Sequence, residues 1–171
     1  MAKKQSSASH SDTIAARASD PLSLVRQATP HLKIDRVQLL QGAFEVTGRS
    51  EDRSKEPVRT GLLINHSRED RQLTSRIKFV FDAVVPRKGE DRVVVVTATF
   101  ELLYELKEGA EVSEEALGHF ARINALYNGW PYWREFLQNT LARLDLPQLT
   151  VPLLRVQQAV AWAQEAETLE A

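Results

Sequence analysis

The clearest signal along the chain is an alternation of apolar and polar positions between residues 73 and 106. In LTSRIKFVFDAVV, Ile77, Phe79, Phe81, Ala83 and Val85 fall two apart and share one face. In RVVVVTATFELLYEL the same holds for Val94, Val96, Ala98, Phe100, Leu102, Tyr104 and Leu106. The opposite face mixes Val93, Val95 and Leu103 with Thr97, Thr99, Glu101 and Glu105. This spacing predicts two strands joined by a hairpin loop over residues 86–91, one face fully buried and the other half-wet. A sheet covered by helices on one side is the usual cause.

Upstream, PVRTGLLINHS puts Val58, Thr60, Leu62 and Ile64 on one side and Leu63 opposite, which predicts a short strand. HLKIDRVQLLQGAFEVTG alternates unevenly. Leu32 and Ile34 share a face, Val37 and Leu39 fall on the other, and Leu40, Phe44 and Val46 switch back. A long strand that bulges and packs on both faces is expected, with Gly42 at a bulge or a close approach. RSEDRSKEP, residues 49–57, reads as a solvated connection. An N-terminal extension, residues 1–30, precedes these strands. Residues 1–19 offer little to bury and are expected to be disordered. Asp20-Pro21 then opens a short helix over 20–29, capped by Ser19 or Asp20 and stopped by Pro30.

After residue 112 the period turns helical. SEEALGHFARINALY, with Ser113 as cap, is followed by NGWP, which reads as a break. Pro131 suits the first position of a fresh helix, where no amide hydrogen is needed. Trp130, Trp133, Leu137, Leu141 and Leu144 then recur at spacings of 3, 4, 4 and 3, widened by Tyr132 and Phe136. LPQLTVPLL is an extended apolar connector. The last helix, residues 153–167, shows Val156, Val160 and Ala163 on one side and Trp162 off it, and leads to a tail at 168–171. Strands first and helices afterwards define an α+β fold. At 171 residues the chain is one domain by default.

Composition narrows the chemistry. Lysine and arginine number 22 against 23 acidic residues, so nothing in the charge argues for nucleic acid or an anionic membrane. There is no cysteine, hence no disulfide and no thiolate metal site. His10, His31, His66 and His119 are too far apart in sequence for a helical metal pair. No metal or other cofactor is expected. No stretch approaches the roughly 18 apolar residues of a bilayer span, and the polar start lacks a signal-peptide pattern. A cytoplasmic protein without membrane insertion is the expectation. Nucleotide-binding and nucleophile-elbow motifs are absent, and no catalytic residue is assigned.

What remains is a surplus of apolar faces, which marks an oligomer interface, a partner groove or both. A merely thick core under a kinked helix is the plain reading. A ligand pocket between sheet and helices, with Tyr104, His119 or Tyr127 as polar contacts, is another.

The stretch FARINALYNGWPYWREFLQNTLARLDLPQLTVPLLRV, residues 120–156, resembles the SecB family of export chaperones. The carriers are the aromatic-proline-aromatic step Trp130-Pro131-Tyr132 and the pair Arg134-Glu135, followed by the connector landmarks Pro147, Leu149 and Pro152. The resemblance covers roughly residues 32–160 and implies a chaperone domain over 31–167. It implies a four-stranded antiparallel sheet with a crossover connection, then a long helix and a C-terminal helix. It further implies a homotetramer, a dimer of dimers with its long helices at the centre. Such an assembly holds unfolded or precursor polypeptides without ATP, in grooves bounded by the crossover, the second strand and the last helix. Phe44, Val46, Leu62, Leu63, Ile64, Val160 and Trp162 are the candidate client contacts. Trp130, Trp133, Leu137, Leu141 and Leu144 are the candidate interface. Family members deliver clients to SecA partly through a C-terminal tail; AQEAETLEA is short and does not match that contact. Divergent SecB-like proteins instead serve toxin–antitoxin systems, with an antitoxin as client.

Overall fold

The computed structural model describes residues 20–48, 58–87, 90–144, 146 and 150–168. Four strands, β1 (Leu32–Gly48), β2 (Val58–Glu69), β3 (Gln72–Arg87) and β4 (Glu90–Leu106), form one antiparallel sheet in the order β1-β4-β3-β2. Strands β1 and β2 thus sit at opposite edges, and the chain between them crosses over. The expected disorder of residues 1–19 and the loop reading of 49–57 lie outside the described residues. The hairpin loop is shorter than expected, because pairing continues to Arg87 opposite Glu90.

Register explains the uneven pattern of β1. Pairing with β4 slips between Ile34 and Arg36 and again between Leu39 and Gln41. Each slip inserts one residue and reverses the side of everything beyond it. Leu32, Ile34, Val37, Leu39, Gly42, Phe44 and Val46 therefore pair with Leu106, Tyr104, Leu102, Phe100, Ala98, Val96 and Val94. All lie on one sheet face, not on two as the alternation suggested. Gly42 adjoins the second bulge and is also a close approach. A Cβ there would stand 2.6 Å from Cζ of Phe136. Gly42→Ala is expected to push that ring aside at a cost of about 1 kcal/mol, the low end of overpacking penalties. Equilibrium denaturation checks it; an unchanged midpoint would show that the ring swings away freely.

The helical layer covers the same face. Helix α1 (Pro21–Ala28) is capped by Asp20, whose Oδ1 accepts from the Leu22 amide at 3.4 Å. It buries Leu24, Val25 and Ala28 in the common core beside α2 (Glu114–His119). Ser113 caps α2 by accepting from the Ala116 amide at 3.2 Å. A wider π turn, Phe120–Asn124, then leads without interruption into α3 (Ala125–Arg143). The expected break at NGWP is therefore corrected: Pro131 lies inside α3. Its missing N–H deprives only the carbonyl of Tyr127, four residues back. Pro131 and Tyr127 are both exposed, so water can serve that carbonyl. The irregularity sits instead at the π turn, where the fully buried Ser75 of β3 donates its hydroxyl to the Ala121 carbonyl at 2.6 Å. A buried carbonyl in a widened turn needs such a partner.

Over the sheet, α3 lays Gly129, Trp130, Trp133, Leu137 and Leu141 onto β3 and β4. Phe79 is the hub: its ring stacks on Trp133 at 5.3 Å and meets Trp130 and Phe100 edge-on at 5.9 and 6.1 Å. Helix α4 (Val156–Thr168) buries a row of small residues, Ala159, Ala163 and Ala166, rather than the valine face expected. Alanine allows α4 to approach closely, and Val156 stays exposed.

Candidate functional site

The helices cover β3 and β4 and leave both edges less protected. Along β2 this leaves an apolar cleft. Val58, Thr60 and Leu62 line its sheet side, since each pairs with a core residue of β3 and shares its face. Trp130 and Trp133 of α3 form the floor. Trp162 of α4 stands over them, its ring 5.4 Å from that of Trp130. Residues 150–154 form the far wall. The cleft has two lobes, of about 210 and 300 Å³, joined at Thr60, Trp130, Trp133 and Trp162. Its few polar side chains are Thr60, Thr150, Gln158 and Glu165.

Two hydrogen bonds hold the far wall. Trp130 Nε1 donates to the Pro152 carbonyl and Arg134 Nε to the Val151 carbonyl, both at 2.9 Å. Trp130 and Arg134 are one helical turn apart, so both point at the same strap. The Trp-Pro-aromatic step and the arginine after it thus fasten the connector to the long helix.

The candidate client residues separate. Leu62 and Trp162 line the cleft, both half-buried. Ile64, on the same face, is only 3% exposed and closed into the core. Leu63 points the other way, opposite Lys78, and is 41% exposed on the uncovered face. Val160 is half-buried on α4 and outside the cleft lining. Phe44, 58% exposed, and Val46 lie on β1, three strands or about 14 Å from β2. One narrow cleft cannot hold both groups. Val58, Thr60, Leu153 and the two floor tryptophans were not assigned to it from sequence. Trp130 and Trp133 carried a signal, but helical spacing alone does not say which end of a ring stays reachable.

The candidate interface residues also move. Trp130, Trp133, Leu137 and Leu141 are all buried against their own sheet, and Leu144 is half-buried. Side chains already enclosed within one chain have little left to offer a second. The outward side of α3 instead carries Tyr132, Glu135, Asn139 and Arg143. The apolar surplus resides chiefly along β1, where Ile34, Leu39 and Phe44 face the helical side yet stay exposed.

Tyr104, His119 and Tyr127 do not converge on a pocket. Tyr104 is buried edge-on against Phe120 with rings 5.0 Å apart, and its hydroxyl accepts from Asn128 Nδ2 at 3.2 Å. Burial pushes its phenol well above the ordinary value, so it stays neutral. Tyr127 is exposed on the far side of α3. Among the described residues no buried side-chain nitrogen or oxygen lacks a partner, and no group of three His, Asp or Glu could hold a metal. No described helix is long and apolar enough to cross a membrane.

No family model and no curated protein matches the chain. A solved structure does: the SecB-like chaperone Rv1957 of Mycobacterium tuberculosis, in complex with a ChAD peptide from the Rv1956 HigA1 antitoxin. The two are 22% identical, with a TM-score of 0.63, over 80% of this chain and 99% of that one. A protein of unknown function from Streptococcus agalactiae is similar at 12% identity and a TM-score of 0.41, over 71% and 96%. The fold of this protein is that of the SecB-like chaperones. The resemblance read from Trp130-Pro131-Tyr132 and the connector points to the same fold.

Proposed function

We propose that the protein is an ATP-independent chaperone that holds unfolded polypeptide segments, in the manner the SecB resemblance implies. The observation that carries this reading is the open tryptophan-floored cleft beside an edge strand. Apolar burial is worth about 25 cal/mol per Å² and asks for no precise geometry. An extended client can add backbone hydrogen bonds along a strand that ends a sheet. Together these features favour unfolded chain over any one sequence. The activity is binding, not bond-making, and its setting is cytoplasmic.

An antitoxin is the favoured client class, because the similar Rv1957 structure holds an antitoxin peptide. Delivery of export precursors to SecA is the alternative route. Assembly as a dimer of dimers is part of the proposal, with the apolar row of β1 and the outward side of α3 as the free surfaces.

A slow-folding client diluted into buffer tests the reading. A stoichiometric amount of the protein should suppress aggregation without ATP; unchanged aggregation ends the proposal. Leu62→Ser and Trp162→Ser should each weaken capture about tenfold or more, since a buried apolar side chain contributes about 1.5–3 kcal/mol. Neither should unfold the chain. Variants that hold client like the parent would move the site elsewhere.

A further inference from the structure

The floor of the cleft depends on how α2 is joined to α3. The π turn between them takes up one residue more than an α turn would. In it the Ala125 amide donates to the carbonyls of Phe120 and Arg122 and passes over that of Ala121. Ala121 is 0% exposed, so water cannot serve the carbonyl left over. Ser75 serves it. Its hydroxyl donates to the Ala121 oxygen at 2.6 Å from the strand beneath, and Ser75 is itself fully buried. In an ordinary α turn the Ala125 amide would take that carbonyl, and the buried hydroxyl would have to compete for it.

The extra residue decides which side chains meet the sheet. Each residue along an α-helix turns the next by about 100°. Closing the π turn into α geometry would therefore shift α3 by one position. Gly129, Tyr132 and Phe136 would take the places of Trp130, Trp133 and Leu137. The cleft would lose both indoles from its floor, and with them the bond from Trp130 Nε1 to the Pro152 carbonyl. We infer that Ser75 is a positioning residue of the client cleft. By holding the carbonyl that the π turn strands, it fixes the register that aims Trp130 and Trp133 into the floor. Ser75 lies outside the lining of both lobes, so it acts through α3. This rests on the reading of the cleft as the client site and adds what orients that site.

Variants of the full chain test the role, read by amide exchange, by the Trp130 indole N–H signal in NMR spectra and by aggregation suppression. Ser75→Ala should speed exchange of the Ala125 and Leu126 amides about tenfold or more and weaken client capture about fivefold. The Trp130 indole hydrogen should exchange faster with them. Ser75→Cys, close in size but only a weak donor, should behave like Ser75→Ala. Val94→Ala truncates a buried residue well along β4 from Leu102, which pairs with Ser75. It should lower the melting temperature yet leave exchange in the turn, the indole signal and capture at parent values. Deleting Asn124 removes the extra residue and returns α3 to the same register with ordinary α bonds. In that background Ser75→Ala should change capture by less than about twofold. Ser75→Cys with parental exchange and capture would mean that bulk acts and not the hydrogen bond, which overturns the inference. So does a Ser75→Ala that behaves like Val94→Ala, or one that weakens capture equally with and without Asn124. If the deletion variant does not fold, the comparison of Ser75→Ala, Ser75→Cys and Val94→Ala decides alone. Exchange and the indole signal need no client. Expected changes there, in a parent that suppresses no aggregation, strike the client-holding reading alone; parental values there strike the positioning role alone.

Discussion

Phe79→Ala is expected to lower the melting temperature by about 6–20 °C, the largest effect of any single truncation discussed. Phe79 is 2% exposed and touches three other rings. Truncating such a residue costs about 3–5 kcal/mol, from lost burial and from the cavity left behind. In a chain of this size each kcal/mol moves the midpoint by about 2–4 °C. The consequence extends beyond stability. Trp130 and Trp133 rest directly on Phe79, and they are the floor of the cleft. Loss of the ring should therefore weaken client capture even at temperatures where the chain is folded. Leu62→Ser, at the open side of the same cleft, should move the midpoint far less while weakening capture directly. Equal melting shifts for the two variants would mean that Leu62 is core and the cleft is closed.

Arg134→Ala should loosen the wall of the cleft without dissolving the core. Arg134 gives its Nε hydrogen to the carbonyl of Val151, a residue whose surroundings are largely closed to water. A hydrogen bond from a charged donor contributes about 1.5–3 kcal/mol, and a carbonyl left without a partner pays the full desolvation penalty. The loss acts on a segment that this bond and that of Trp130 fasten to α3. Amide exchange over residues 150–155 should accelerate about tenfold or more, whereas exchange in β3 and β4 should stay near the parent rate. Client capture should fall with it, because the strap supplies Val151, Leu153 and Leu154 to the cleft. Unchanged exchange over that segment would remove the strap from the account. Trp130→Phe, which keeps most of the ring and drops the Nε1 bond, should show a weaker form of the same effect.

The two free edges of the sheet serve different ends in this scheme. Strand β2 borders a cleft sized for side chains, which suits a client. Strand β1 is 17 residues long and exposes an apolar row. A long exposed edge strand with apolar side chains is an aggregation hazard unless something covers it. Assembly would turn that hazard into an interface.

The sequence by itself determined the α+β class and the four strands. It also determined the cap at Ser113, narrowed the first cap to Ser19 or Asp20, and held the aromatic-proline step that resembles the SecB family. Those features are local. A strand shows itself by a period of two, and a cap by a side chain next to the amide it serves. The buried faces of β3 and β4 were legible for the same reason. Only the tertiary structure decided the rest. Two bulges in β1 cancel the phase changes in its pattern, and which face each residue takes depends on pairing with β4, a strand far away in sequence. Helix α3 passes through Pro131 because that side of the helix meets water. A proline stop is conditional on whether the orphaned carbonyl is buried. Ile64 and Leu62 share one pattern and one strand. Ile64 is closed because core packs over it, and Leu62 is open because the cover ends there. The apolar stripe of α3 became core against its own sheet. Helical spacing identifies a face but not its partner, and the partner is set by the sheet beneath.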